Sequence, residues 1–133
     1  MILHNLLQSE GDFAGYSAKE LDDEIRDKTG GKAALDSTKL FQDGSIQLLT
    51  DSLRKPYFCN EKVSGELIHD QTLLNEEVAD IHDRGFQVTI HGNGDESIKS
   101  NIDAFAYANE KSPRDGHRHR IEHVQTAITS DLD

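Results

Sequence analysis

The stretch "FQVTIHGNGDES", Phe86 to Ser97, decides how this chain folds. Phe86, Val88 and Ile90 alternate with Gln87, Thr89 and His91, which is the period of a strand with one face toward a core. The alternation stops at the turn Gly92-Asn93-Gly94, and a helical pattern follows, with Asp95 of a residue type that caps helices. "DESIKSNIDAFAYANEK" then carries Ile98, Ile102 and Phe105 at helical spacing. A strand that turns tightly into a helix is half of a strand-helix-strand unit, and it leaves His91 at the strand's carboxyl end.

Working outward, the same order recurs. Upstream, "QTLLNEEVADIHDRG" places Leu73, Leu74, Val78 and Ile81 at helical spacing, with Gly85 as its stop. "STKLFQDGS" reads as a short strand entering a turn at Asp43 and Gly44. Residues 45–69 have no clean period and are expected to form a long loop, which in a compact domain usually has a task at a binding site. "SAKELDDEIRDKTGG" carries a capping box, Ser17 with Glu20, a shared face of Leu21 and Ile25, and a stop at Gly30. The start, "MILHNLLQ", is apolar enough for a short strand. Downstream, "HRIEHVQ" alternates again, and "ITSDLD" reads as the first turn of another helix. Strand, helix, strand, helix, strand predicts α/β crossover units with parallel strands. Their carboxyl ends share one edge, where such folds place their chemistry.

Composition narrows the function. With 133 residues, 35% of them hydrophobic, the chain suffices for one modest domain or one piece of a larger unit. Lys and Arg total 14 against 25 Asp and Glu, and the net charge of -11 disfavours nucleic acid or an anionic membrane as partner. No run approaches the roughly 18 apolar residues of a membrane span, and the start lacks a signal-peptide pattern, so a soluble, cytoplasmic protein is expected. Cys59, the one cysteine, cannot form an internal disulfide and reads as a loop residue beside Pro56 and Tyr57.

Three predicted strands carry Lys39, His91 and His123 at or near their ends. The histidines lie 32 residues apart, about one repeat unit, so they can occupy neighbouring strands. Neutral imidazole is a common ligand for zinc and similar cations, but two histidines alone do not make a site. Either one taken singly is as well explained by packing or hydrogen bonding. Lys39 has no lone pair as an ammonium and becomes a ligand only if carbamylated; otherwise it is a salt-bridged or snorkelling lysine. Asp43, taken by itself, reads as part of a plain Asp-Gly turn. Asp95 reads as an N-cap, with second-sphere support of a ligand as the alternative. Glu122 points to the opposite strand face from His123 and reads as structural. "GNGDES" lacks the lysine of a phosphate loop.

The stretches "KLFQDGS", "PYF", "GELIHDQTLLNEEVADIHDRGFQVTIHGNGDESI" and "HRHRIEHVQ" resemble the central part of the amidohydrolase superfamily. The similarity is to the family 3 amidohydrolases that include N-substituted formamide deformylase, and it runs from about Lys39 to Asp131. The resemblance implies a (β/α)8 TIM-barrel whose metal-site residues come from successive strand ends. Lys39 matches the lysine of the fourth strand, His91 the histidine of the fifth and His123 that of the sixth, and the resemblance places the turn of Asp43, Gly44 and Ser45 at the active-site face, where it implies that Asp43 orients Lys39 or touches substrate. It further implies a divalent metal, zinc first, or two ions bridged by a carbamylated lysine. The reaction implied is attack of activated water on a non-peptide, amide-like carbon–nitrogen bond of a small molecule.

That family also uses a His-x-His pair from the first strand and an aspartate from the eighth. "HRH" at His117 to His119 precedes its strand, so it reads as solvated or lining the strand's amino end, and Asp131 suits a helix start. Residues 1–133 are therefore expected to be a partial barrel, about four parallel strands with crossover helices, roughly the third to sixth units. The first and last units would be absent. Such a chain is expected to be inactive in isolation and to self-associate through exposed sheet edges. The alternative is a non-catalytic binding or regulatory module.

Overall fold

The computed structural model describes residues 1–3, 6–7 and 11–131. Strands and helices alternate along the chain: β1 (Ile2–Leu3), α1 (Ala18–Thr29), β2 (Thr38–Phe41), α2 (Gln71–Asp83), β3 (Val88–Gly92), α3 (Asp95–Lys111) and β4 (Arg120–His123). All pairings are parallel, and the strands lie in the order β1-β2-β3-β4, so each crossover returns beside the strand it left. Within "MILHNLLQ" only Ile2–Leu3 is strand; positions 4, 5 and 8–10, and the last two residues of "ITSDLD", lie outside the described residues. Thr129–Asp131 forms a short 3-10 turn. The described residues form an open sheet, and no strand pairs with the outer edge of β4 among them.

Local chemistry explains the helices. At α1 the capping box is complete: the Ser17 hydroxyl accepts the Glu20 N–H at 3.3 Å and the Glu20 carboxylate accepts the Ser17 N–H at 2.9 Å. Gly30, at φ 59°, ends it in the left-handed region. Asp70 caps α2 through the Leu73 N–H at 3.0 Å. α3 departs from expectation. Its N-cap is Gly94, without a side chain, and Asp95 is the first helical residue, its carboxylate accepting the Arg54 N–H at 3.0 Å instead.

Register sorts the side chains. Thr38 pairs with Val88 and Leu40 with Ile90, putting Leu40, Val88 and Ile90 on the face covered by the helices. There they bury with Leu21, Leu74, Val78, Ile81, Phe86, Ala104 and Ala108. Each large side chain removed from water contributes about 1.5–3 kcal/mol, so this layer fixes the sheet's inner register. The other face carries Lys39, Phe41, Thr89, His91, Arg120 and Glu122.

Between β2 and α2, residues 42–70 cross the strand ends as an irregular segment holding one 3-10 turn at Ile46–Leu48. Buried Gln42 fastens its return: the side-chain amide donates to His69 O (2.9 Å) and Ser100 Oγ (3.0 Å) and accepts the His69 N–H (3.1 Å). Gly94 and Gly65 permit close approach. A Cβ on Gly94 would lie 1.9 Å from Ser52 O, and one on Gly65 1.9 Å from Asp51 O. Among the described residues no helix is long and apolar enough to cross a membrane, and Cys59 is a free, exposed thiol.

Candidate metal centre at the strand ends

The pairing of Phe41 with His91, and of His91 with Glu122, brings β2, β3 and β4 to one rim. The rings of His91 and His123 lie 4.5 Å apart, centroid to centroid. Simple alternation would send His123 to the helix side with Ile121. Its backbone prevents this: φ is 77° at His123 and 54° at Val124, and the Val124 N–H donates to Glu122 O at 3.1 Å across a γ-turn. The same N–H reaches Gly92 O at 3.1 Å, anchoring the turn to β3. A β-branched residue in the left-handed region is uncommon, and such backbone strain clusters at functional sites.

His91 is held from below. Its Nε2 lies 2.5 Å from Gly44 O and 3.6 Å from Asp43 Oδ1. A neutral ring that donates from Nε2 to the carbonyl keeps its Nδ1 lone pair for another partner. Asp43 does not hydrogen-bond Lys39, the orienting role that the family resemblance implies. Its Oδ2 accepts the Ser52 N–H (3.2 Å), the Gly94 N–H (2.8 Å) and the Ser97 hydroxyl (2.7 Å), and its Oδ1 accepts the Asn93 N–H (3.1 Å). Asp43 thereby holds the turn before α3 against the crossing segment, and Ser52 O of that segment accepts the first-turn Glu96 N–H at 3.2 Å in place of a side-chain cap.

Lys39 is 8% exposed, and its Nζ is buried with no hydrogen-bond partner. The ammonium lies 4.7 Å from the Phe41 ring centroid, and that ring is 5.5 Å from His91. Burial pushes its pKa down; Glu122 opposes the shift and Arg120 adds to it. Glu122, which alternation set apart from His123, shares the face of Lys39 and His91 and pairs with Arg120 at 2.7 Å. Asp131 meets Arg54 at 2.8 Å, away from the rim residues.

Two residues passed over in the sequence belong to the site. Asp51 and Asn93 are 0% and 5% exposed, and the nearest donor atoms of Asp43, Asp51 and His91 lie within 4.8 Å of one another. Burial, then the charge of Asp43, pushes the Asp51 carboxyl up to about 6. Asp51 left no signal because it lies in the segment without a period. Beside it, an open groove of about 740 Å3 runs between residues 44–50 and 62–68.

At the amino ends of the strands lies a second histidine cluster. The Val88 N–H donates to His119 Nδ1 (3.0 Å), so the neutral ring donates from Nε2 to His82 Nδ1 (2.8 Å), and His82 Nε2 donates to Ser112 O (2.7 Å). His117 Nδ1 accepts the His119 N–H at 3.0 Å. "HRH" thus lines the amino end of β4, remote in the strand direction from His91 and His123.

The chain matches the sequence profile of the amidohydrolase family over residues 10–133. It belongs to that family. YtcJ of Bacillus subtilis strain 168 is 23% identical over 103 residues, 77% of this amidohydrolase-family chain and 19% of YtcJ. The exoenzymes regulatory protein AepA of Pectobacterium carotovorum is 36% identical over 81 residues, 61% of this chain and 17% of AepA. An uncharacterized metal-dependent hydrolase of Pyrococcus furiosus superposes with a TM-score of 0.67 at 29% identity, covering 88% of this chain and 25% of the solved one. The chain therefore spans under a fifth of these curated relatives and about a quarter of that structure.

Proposed function

We propose that this chain supplies part of the centre of a metal-dependent amidohydrolase, with Lys39, His91 and His123 holding a divalent cation, zinc first. The observation that carries this is the approach of the two imidazoles to 4.5 Å at one rim of a parallel sheet. The donor set fits. Imidazole nitrogens suit zinc, and the orphaned Lys39 Nζ, whose burial favours the neutral amine, suits carbamylation by carbon dioxide into an anionic oxygen ligand. When bound, such a cation lowers the pKa of water toward neutrality and polarises a carbonyl.

The residues of this chain do the holding. Gly44 O fixes the His91 tautomer, the γ-turn aims His123, and Asp43 locks the turn that follows β3 to the segment after β2. The groove beside Asp43 has the size of a small-molecule site, and an amide-like substrate is the class that the family implies. We read residues 1–133 as roughly the third to sixth units of a (β/α)8 barrel. The first-strand histidine pair and eighth-strand aspartate then come from elsewhere in the barrel, and this chain alone is inactive. The name of AepA favours one second reading, a regulatory module that keeps the half-barrel and not the chemistry.

Equilibrium dialysis against zinc, with bicarbonate present, tests the reading on wild type, His91→Ala and His123→Ala. The expected result is one zinc per wild-type chain, weakened at least tenfold in both variants, with no hydrolysis of N-formyl or N-acyl amines above background. Zinc uptake unchanged in both variants overturns the site, and enzyme-like hydrolysis by the chain overturns its incompleteness.

A further inference from the structure

We propose that Asp43, Asp51 and the Nε2 edge of His91 form a cation site of their own, beneath the segment that crosses the strand ends and apart from the His91–His123 rim. Asp51 is fully buried and neither carboxylate oxygen has a hydrogen-bond partner, although the Asn93 amide acts on it and favours its charged form. Buried acceptors short of N–H or O–H donors are costly, and two buried carboxylates repel each other unless a positive charge stands between them. Among the described residues no ammonium or guanidinium supplies that charge: Lys39 has no acceptor at all, and Arg54 is engaged with Asp131 and Glu96.

Spacing agrees. Ligands of one cation, each at 2.0–2.4 Å, lie no more than about 4.8 Å apart, and Asp43, Asp51 and His91 meet that limit. Asp43 Oδ1 accepts only the Asn93 N–H and keeps a lone pair, whereas Oδ2 is saturated by three donors. Gly44 O would not be orphaned if Nε2 turned to a cation, because Asn93 Nδ2 also donates to it at 3.0 Å. The donors are two carboxylates and one imidazole. That set, richer in oxygen than the rim, suits manganese; calcium takes more oxygens than are present.

The site would pin the crossing segment over the strand ends through Asp51, whose neighbour Ser52 already donates to Asp43. A neutral His91 has one lone pair, so this site and the rim are alternatives for the same ring. The proposal does not rest on the hydrolase reading and is separable from it.

The test is manganese uptake by the metal-stripped chain, read by electron paramagnetic resonance and by the manganese-induced rise in melting temperature. Wild type and His123→Ala should each bind one ion. Asp51→Asn, nearly isosteric and free of one buried charge, should bind at least tenfold more weakly and show no rise, while melting no lower than wild type in metal-free buffer. Asp51→Ala, which removes the carboxylate outright, is the second variant and should abolish binding. Uptake undiminished in both variants overturns the proposal, as does the lack of uptake by wild type, which would assign the pair a shared proton. Loss of binding in His123→Ala with retention in Asp51→Asn overturns it too, leaving the rim as the metal's place.

Discussion

A buried lysine with nothing to bind is the most informative single residue. Lys39 Nζ lies 4.7 Å from the Phe41 ring centroid and has no hydrogen-bond acceptor, Glu122 acting on it only as a charge on the same sheet face. A desolvated cation–π contact is worth about 2 kcal/mol, whereas an unpaired buried charge costs several. The cost wins, so Lys39→Met should raise stability by about 1 kcal/mol or more in urea melts of the metal-free chain. The same change should remove the zinc affinity that bicarbonate confers. A melt at lower urea in Lys39→Met would instead mean that the ammonium has a stabilising partner.

At the scale of elements, the glycine turn between β3 and α3 is built around Asp43. Gly94→Ala places a methyl 1.9 Å from Ser52 O, a backbone atom that cannot swing aside, and parting the two segments breaks the Asp43 bonds to Ser52 and Gly94. We expect a loss of about 3 kcal/mol or more. Gly31→Ala, at φ 77° with open space around it, should cost about 1 kcal/mol from backbone strain alone. Equal losses in the two variants would remove the packing argument. This turn also shows where sequence reading stops. The α1 box was readable because Ser17 and Glu20 are three residues apart. Asp95 was misread as a cap because the acceptor that serves the first turn of α3, Ser52 O for the Glu96 N–H, comes from the crossing segment far along the chain. The direction of His123 was beyond alternation for the same kind of reason: a γ-turn anchored to Gly92 re-aims it. The amino-end histidines give a further prediction. Burial first, then His117, His82 and Arg114, push His119 down to about 3 from an ordinary 6.5. Between those values the unfolded chain binds a proton that the folded chain refuses, so stability is full above pH 6.5 and falls as pH drops toward 3. His119→Asn keeps an acceptor for Val88 and does not titrate, so its denaturation free energy should change less than that of wild type between pH 6.5 and 5. Parallel slopes would exclude His119 as the cause.

At the scale of the molecule, the sheet has one face covered by helices and one that no helix of the described residues covers. The helices bury Leu40, Val88 and Ile90, while the face of Lys39 and His91 leaves Phe41 46% exposed. Beyond it, the crossing segment exposes Leu48, Phe58 and Ile68. Parallel sheets are ordinarily covered on both sides, and an outer edge such as that of β4 offers unpaired backbone groups to another chain. The relatives, four to five times longer than the matched region, have chain enough to cover both. For this chain the expected outcome is reversible self-association through the face without helices. The net charge of -11 opposes it, since like-charged copies repel until salt screens them at about 10 Å in 0.1 M. Sedimentation equilibrium should therefore show the average mass rising above 14.9 kDa with concentration, and rising further between 50 and 500 mM sodium chloride. Phe41→Glu should return it toward monomer, because the carboxylate lands in the contact. A single 14.9 kDa species at every concentration and salt would mean that residues 1–133 shield this face by themselves.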